Sequence, residues 1–109
     1  AYAYTKLKNK SYSFAGKTVL ITGGSRGLGL VLARKFVAEK AKIAICARKA
    51  DELERARIEL ENLGAEVLAS VCDLREPAQI TRMIDEVRNR FGQIDVLINN
   101  AGVIQVGAL

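Results

Sequence analysis

A glycine-rich turn between an apolar run and an amphipathic run is the feature that most constrains the fold of this 109-residue chain. The apolar run ends at Ile21, and the turn reads Thr22-Gly-Gly-Ser-Arg-Gly-Leu-Gly29. We interpret it as a strand, a turn and a helix, where Gly23 permits the turn, Gly27 lets a phosphate approach and Gly29 allows close packing. Since helix N-termini attract anions, the turn predicts a phosphate site, with a plain tight turn as the alternative.

Short apolar runs and amphipathic runs alternate along the rest of the chain. Strands are predicted at 17–22, 42–47, 66–71 and 95–99, and helices at 27–39, 51–62 and 77–91. Short apolar strands separated by helices form parallel sheets that helices cover on both faces. The pattern therefore predicts an α/β fold with a doubly wound parallel sheet, βαβαβαβ, and the probable strand order 3-2-1-4.

Helical spacing also predicts which side chains face the sheet. These are Leu28, Val31, Leu32, Ala33 and Phe36 in the first helix, Leu53, Ala56, Leu60 and Leu63 in the second, and Ile80, Met83, Ile84, Val87 and Phe91 in the third. Lys40 stands where the first helix ends, at a position that often favours glycine because its backbone is left-handed. We therefore expect a small local strain at Lys40.

The net charge of +5 lies mostly in the N-terminal part of the chain. Lys6, Lys8, Lys10 and Lys17 precede the first acidic residue, and the remainder is close to neutral. We predict a basic extension at 1–15, a solvated arm or alternatively a contact with an anionic surface, and a domain at 16–109. Because the domain is near neutrality, it is not expected to bind nucleic acid.

Several other classes of protein are disfavoured by composition. No apolar run approaches the ~20 residues of a membrane helix, and the N-terminus does not resemble a signal peptide. The chain has no histidine, which excludes a Ser-His-Asp triad, and no metal-ligand spacing. Cys46 and Cys72 each end an apolar run, where buried thiols are common, so we predict free thiols and a cytoplasmic location.

Three motifs, in order, resemble those of the short-chain dehydrogenases/reductases of the classical type. The turn at 22–29 resembles the family's Thr-Gly-x-x-x-Gly-x-Gly cofactor turn, Cys72-Asp73-Leu74 its adenine-pocket motif, and Asn99-Asn100-Ala101-Gly102 its signature after the fourth strand. The resemblance covers about residues 15–107 and implies a Rossmann-like dinucleotide-binding domain. The motifs fall at predicted strand ends, where doubly wound sheets bind dinucleotides.

The resemblance implies a set of cofactor contacts. Asp73 would accept a hydrogen bond from the adenine amino group, although an Asp that stabilises its own turn is the alternative. Asn99 would help to hold the sheet and contact the ribose, which Ala101 and Gly102 would let approach the backbone. The complete predicted set is Gly23, Ser25, Arg26, Gly27, Leu28, Gly29, Arg48, Asp73, Leu74, Asn99, Ala101 and Gly102.

The end of the second strand predicts which cofactor is preferred. NAD-binding folds usually present an acid there, whereas this chain reads Cys46-Ala47-Arg48-Lys49. Arg48 and Arg26 could clamp a 2′-phosphate from two sides, since guanidinium groups bind phosphate in bidentate geometry. We therefore predict NADP(H), with NAD(H) less favoured; the alternative is that Arg48 and Lys49 only solvate a surface helix.

The family's reaction moves a hydride between nicotinamide and a carbonyl or secondary alcohol of a small molecule. By resemblance its catalytic serine and Tyr-x-x-x-Lys lie beyond position 109, so we predict no catalytic residue here and no activity of this chain alone. The missing initial methionine and the end at Leu109 suggest a fragment. The resemblance implies that the full-length protein is a homo-oligomer. The alternatives are a non-catalytic dinucleotide-binding sensor or scaffold, and a half-domain that pairs through its fourth strand.

Overall fold

The computed structural model describes residues 13–100, which form four strands and three helices in strict alternation. The elements are β1 (Thr18–Thr22), α1 (Gly27–Ala38), β2 (Lys42–Ala47), α2 (Ala50–Asn62), β3 (Val67–Val71), α3 (Pro77–Phe91) and β4 (Val96–Asn99). Every predicted element is present, and no boundary differs from its predicted position by more than one residue.

The four strands form one parallel sheet in the order β3-β2-β1-β4. The predicted fold class and strand order are therefore confirmed. The two central strands are almost entirely buried, and all five residues of β1 are inaccessible to solvent. Each connection between parallel neighbours requires a crossover, which the intervening helices provide.

Side chains alternate across the sheet and supply two separate apolar cores. Val19 and Ile21 of β1 belong to the core that α1 and α2 cover. Leu20 points to the opposite face, where it packs with residues of α3. Each of these buried aliphatic side chains contributes about 1.5–3 kcal/mol through removal from water, so both faces of β1 hold the sheet between its helices.

All three helices are amphipathic, and none of them is long and apolar enough to cross a membrane, as far as residues 13–100 are concerned. Most side chains predicted to face the sheet are buried; Phe91 is partly buried, and three are exposed. Leu28 is 63% exposed and Val31 is also exposed, because the buried stripe of α1 centres on Gly29 and Ala33. Leu63 is exposed because it follows the last residue of α2, where the helical stripe ends.

Phe14 packs into the core on the α1 side of the sheet. Its ring meets that of Phe36 edge-on, with 5.0 Å between centroids, and both side chains are buried. The division predicted from charge assigns Phe14 to the extension at 1–15, yet this residue contributes to the core of the domain. Residues 1–12, including Lys6, Lys8 and Lys10, lie outside the described residues, so the division itself stays a prediction.

Lys40 adopts the left-handed conformation expected from the sequence, with φ of 65°. The conformation is fixed on both sides, because the Lys40 N–H donates to Val37 O at 2.9 Å and Lys40 O accepts from Gly16 N at 3.0 Å. Residues with a Cβ atom are disfavoured in the left-handed region of the Ramachandran plot, so the end of α1 carries local strain.

Two arginines of α3 reach the outer edge of β3. Arg90 Nη1 donates a hydrogen bond to Val67 O at 2.8 Å, and Arg82 Nη2 donates to Val71 O at 3.2 Å. Between them, the Ser70 hydroxyl donates to Glu86 Oε1 at 3.1 Å. The backbone oxygens at both ends of this edge strand thus have side-chain partners, which guanidinium groups supply well because they donate in several directions.

Candidate cofactor-binding cleft

A cleft with a volume of about 630 Å³ opens at the carboxyl ends of the strands. Eight of the predicted contact residues line it: Gly23, Ser25, Arg26, Gly27, Leu28, Arg48, Asp73 and Leu74. Seven residues outside the predicted set also line it: Cys46, Ala47, Lys49, Glu52, Cys72, Arg75 and Asn100. Gly29 packs against the glycine turn and Asn99 is hydrogen-bonded to Thr22, so both support the rim of the cleft. Ala101 and Gly102 lie outside the described residues.

The turn after β1 requires glycine at two positions. Gly23 and Gly27 have φ angles of 68° and 58°, in the left-handed region that side chains with a Cβ atom rarely adopt. The Gly23 N–H donates to Cys46 O at 2.8 Å, so the turn is tied to the end of β2. A Cβ atom built on Gly27 would meet no atom within 4 Å, which leaves open space for a ligand beside its backbone.

The two remaining glycines of the turn are required by close packing. A Cβ atom on Gly29 would lie 2.2 Å from Gly23 O, so the first turn of α1 packs against the glycine turn itself. A Cβ atom on Gly24 would lie 2.5 Å from Ile45 Cγ2. Gly24 was not among the predicted contacts, because its neighbour belongs to β2 and the local sequence does not identify it.

The N-terminus of α1 borders the cleft and has no side-chain cap. Arg26 is the N-cap residue, its side chain makes no capping hydrogen bond, and no acidic residue lies in the first turn. The first N–H groups of a helix have no acceptor within it and lie at the positive end of its dipole. This arrangement fits a pyrophosphate group, which supplies oxygen acceptors and negative charge.

A hydrogen-bond network joins the ends of β1 and β4 behind the turn. The Thr22 hydroxyl donates to Asn99 Oδ1 at 3.0 Å and accepts from the Asn100 N–H at 2.9 Å. Asn100 Nδ2 in turn lies 3.4 Å from Gly23 O, its acceptor. Asn99 therefore joins the two strands at the site, which is the supporting role implied for it, and Asn100 braces the glycine turn.

The Asp73 carboxylate is held by Arg75. Its Oδ1 accepts from the Arg75 backbone N–H at 2.9 Å, and its Oδ2 accepts from Arg75 Nη2 at 2.9 Å. The side-chain and backbone hydrogen bonds from Arg75, together with the charge of Arg48, lower the pKa of Asp73 to about 2. Asp73 thus stabilises its own turn and is ionised; since a carboxylate has about four acceptor sites, it can also accept from a ligand.

Three cations and one carboxylate stand together near the end of β2. Arg26 Nε lies 3.8 Å from Glu52 Oε1, and Lys49 Nζ lies 3.8 Å from Glu52 Oε2. Arg48 lines the same cleft, so the fold brings together the two arginines predicted to bind a 2′-phosphate. Glu52 was not among the predicted contacts, although its position three residues after Lys49, at the start of the predicted helix, was a usable signal.

Both cysteines lie at the bottom of the cleft as free, buried thiols, in agreement with the sequence prediction. Burial raises the pKa of Cys46 to about 12 and also raises the pKa of Cys72. Both are therefore neutral thiols near pH 7 and poor nucleophiles. Across residues 13–100, the structure contains no group of three or more His, Cys, Asp or Glu side chains suited to a metal ion.

Comparison with known proteins gives a consistent result along almost the whole chain. Residues 17–109 match the family model described as short chain dehydrogenase. The short chain dehydrogenase/reductase dpmpG of Macrophomina phaseolina is 41% identical over 93 residues, which cover 84% of this chain and 53% of that protein. The chain thus spans about half the length of this relative.

Solved structures show the same relationship in three dimensions. An NAD⁺-bound xylitol dehydrogenase superposes with a TM-score of 0.80 at 34% identity, covering 84% of this chain and 35% of that one. A metagenomic short-chain oxidoreductase in complex with NADP gives a TM-score of 0.77 at 35% identity, covering 84% and 42%. Fold, sequence and the residues of the glycine turn agree, and the chain belongs to the short chain dehydrogenase family.

Proposed function

We propose that this chain forms the NADP(H)-binding part of an oxidoreductase that transfers a hydride between nicotinamide and a carbonyl or secondary alcohol. The observation that carries the proposal is that Arg26 and Arg48 line one cleft, with Arg48 directly after β2, at the strand end where NAD-binding folds usually present an acid. The dinucleotide, when bound, would supply or accept the hydride. The residues of this chain would bind and orient it.

The glycine turn would hold the pyrophosphate. The uncapped N-terminus of α1 offers N–H donors, and the open space beside Gly27 lets a phosphate come close to the backbone. Ser25 lines the same part of the cleft and adds a hydroxyl group that can donate to a phosphate oxygen. Leu28, exposed at the rim, would cover the bound group with apolar surface.

The adenosine end would lie across the ends of β2, β3 and β4. Asp73, ionised and fixed by Arg75, would accept from the adenine amino group, while Leu74 would pack on the ring. Asn99, Ala101 and Gly102 would border the adenosine ribose. Arg26 and Arg48 would bind the 2′-phosphate. The family accommodates both cofactors, as the NAD⁺-bound and NADP-bound relatives illustrate, so the preference for NADP(H) rests on these two arginines.

The proposal extends to the complete protein, of which the cleft is one part. Its substrate would be a small carbonyl compound or alcohol, and the groups that act on the substrate would come from outside this cleft. Two buried, free thiols are consistent with a reducing, cytoplasmic location. In the same proposal, the complete protein would form a homo-oligomer.

Binding measurements on the complete protein test the cofactor preference. Titration calorimetry with NADPH and NADH should give tighter binding of NADPH, because only NADPH carries the 2′-phosphate. Arg48→Ala should weaken NADPH binding about tenfold or more, the effect of losing one charge-assisted contact, and leave NADH nearly unchanged. Arg55→Ala is the control, since Arg55 lies on α2 and pairs with Asp51 outside the cleft.

Two results would contradict the proposal. Tighter binding of NADH by the unaltered protein would remove the preference for NADP(H). Equal weakening of both cofactors by Arg48→Ala would show that this arginine does not recognise the 2′-phosphate. Consumption of NADPH in the presence of a panel of aldehydes and ketones separates an oxidoreductase from a sensor or scaffold, which would bind the cofactor without oxidising it.

A further inference from the structure

Glu52 places a negative charge inside the most cationic part of the cleft. Its two carboxylate oxygens each lie 3.8 Å from a cation, Arg26 Nε on one side and Lys49 Nζ on the other. The side chain of Glu52 is 22% exposed, whereas those of Arg26 and Lys49 are 74% and 64% exposed. The anion is thus the inner member of the group, and the cations are the more exposed outer members.

The position of Glu52 is stabilised by its own helix. It lies in the first turn of α2, where an acidic side chain interacts favourably with the positive end of the helix dipole. Lys49 precedes it by three residues, a spacing that brings the two side chains to the same face. The first turn of α2 and Lys49 therefore both favour the observed position of the Glu52 carboxylate.

We propose that Glu52 is a specificity-determining residue that restrains the selectivity of this cleft for 2′-phosphorylated cofactors. This inference rests on the proposed function, in which Arg26 and Arg48 bind the 2′-phosphate. The carboxylate occupies the side of Arg26 that faces α2 and offers both Arg26 and Lys49 an anionic partner. A 2′-phosphate must compete with that partner for both cations and is itself repelled by the carboxylate.

A cofactor with a free 2′-hydroxyl does not encounter this competition. It brings no additional negative charge to the group, and it leaves the Arg26–Glu52 and Lys49–Glu52 ion pairs intact. A carboxylate also accepts hydrogen bonds from ribose hydroxyl groups, as it does in folds that bind NAD. Glu52 therefore lowers the affinity for the 2′-phosphorylated cofactor and raises the affinity for the cofactor with a free 2′-hydroxyl. Both effects reduce the selectivity of the cleft.

The test uses the complete protein and two ligands that report only the adenosine end, adenosine 2′,5′-bisphosphate and 5′-AMP. Selectivity is the ratio of their dissociation constants, measured by calorimetry. Glu52→Gln should raise the selectivity for the bisphosphate by about threefold to tenfold, because two ion pairs, each contributing up to about fivefold, no longer compete. Circular dichroism confirms that each variant is folded.

Asp51→Asn is the matched control. It removes one negative charge from the adjacent position of the same helix, but Asp51 pairs with Arg55 at 3.8 Å and does not line the cleft. Its selectivity should stay within about twofold of the unaltered protein, since an exposed charge outside the site is screened. A comparable rise in both variants would overturn the proposal, because general electrostatics would then explain it.

The remaining outcomes are distinguishable. Unchanged or reduced selectivity in Glu52→Gln would overturn the proposal and show that the carboxylate only positions the cations. If the unaltered protein prefers 5′-AMP, the predicted NADP(H) preference fails, yet a rise in Glu52→Gln alone still supports the role of Glu52. If the folded protein binds neither ligand, both this inference and the proposed function are wrong.

Discussion

The hydroxyl group of Thr22 accepts a hydrogen bond from the backbone N–H of Asn100 at 2.9 Å, across 78 positions of sequence. The same hydroxyl donates to Asn99 Oδ1, so one side chain fastens the end of β1 to the end of β4. The ends of these strands carry the glycine turn and the Asn-Asn motif. The Thr22 hydroxyl group therefore reinforces the backbone pairing of β1 with β4 at the strand ends that border the cleft.

Thr22→Val retains the shape of this side chain and removes the hydrogen bonds of its hydroxyl group, which include those to Asn99, Asn100 and Ile98 O. We expect the free energy of unfolding to fall by about 0.5–1.5 kcal/mol, because the part-buried hydrogen bonds of the Thr22 hydroxyl group are lost. NADPH affinity should fall as well, since the turn loses its brace. Urea unfolding and calorimetry measure the two effects. Thr81→Val is the control, because the Thr81 hydroxyl bonds only to Pro77 O on the exposed surface of α3; an equal loss in this variant would contradict the prediction.

Gly29→Ala should abolish cofactor binding at a moderate cost in stability. The added methyl group would lie 2.2 Å from Gly23 O, so the turn and the start of α1 must separate. Overpacking of this kind costs about 1–3 kcal/mol. Gly16→Ala is the comparison, because it strains a backbone with a positive φ of 74° without a steric contact, since a Cβ atom there meets no atom within 4 Å, and Gly16 lies outside the cleft. Unchanged NADPH affinity in Gly29→Ala would show that the turn tolerates displacement.

The ionisation of Asp73 should depend on Arg75. The pKa of Asp73 is lowered from 3.8 to about 2 in the folded protein, chiefly by hydrogen bonds from Arg75. A depressed pKa stabilises the fold above the unfolded value, and this contribution is lost as the pH falls from about 4 towards about 2. In Arg75→Gln, the pKa measured by carboxyl NMR should rise towards 3.8, whereas Arg55→Gln should leave it unchanged. A pKa still near 2 in Arg75→Gln would assign the shift to another group.

Lys40→Gly should stabilise the protein. Lys40 has a φ of 65°, and glycine adopts this conformation without a steric penalty. We expect a gain of about 0.5–1 kcal/mol in the free energy of unfolding, reduced in part by the greater flexibility of glycine in the unfolded chain. Urea unfolding provides the measurement. Glu39→Gly should give no gain, because Glu39 has an ordinary φ of −89°, and a loss in Lys40→Gly would mean that the Lys40 side chain makes a favourable contact.

The positions of the strands and helices were predictable, because the sequence features that mark them are local. The apolar runs of β1 and β2, the proline at the start of α3 and the glycine after it each mark an element without reference to distant residues. Lys40 is a similar case, since its position after α1 was enough to predict its backbone conformation. Strand order followed from general rules of connection between parallel strands.

The candidate site was less predictable, because the residues of the site that sequence reasoning missed make their contacts with other strands and helices. The requirement for glycine at position 24 arises from Ile45 on the neighbouring strand, and the role of Asn100 arises from Gly23 and Thr22. Leu28 was expected to be buried because its spacing fits the helix, but it stands at the first turn of α1, beside the open cleft. Such contacts depend on strand register, which local periodicity does not specify.

Arg82 and Arg90 of α3 determine at which edge the sheet can accept a further strand. A strand that joined β3 from outside would have to take the carbonyl oxygens of Val67 and Val71 away from Arg90 and Arg82 and leave two guanidinium groups without these partners. Such an exchange is unfavourable, since edge strands defended by charged side chains resist pairing. Any additional strand, from this protein or another, is thereby directed to β4, the strand that ends in the Asn-Asn motif.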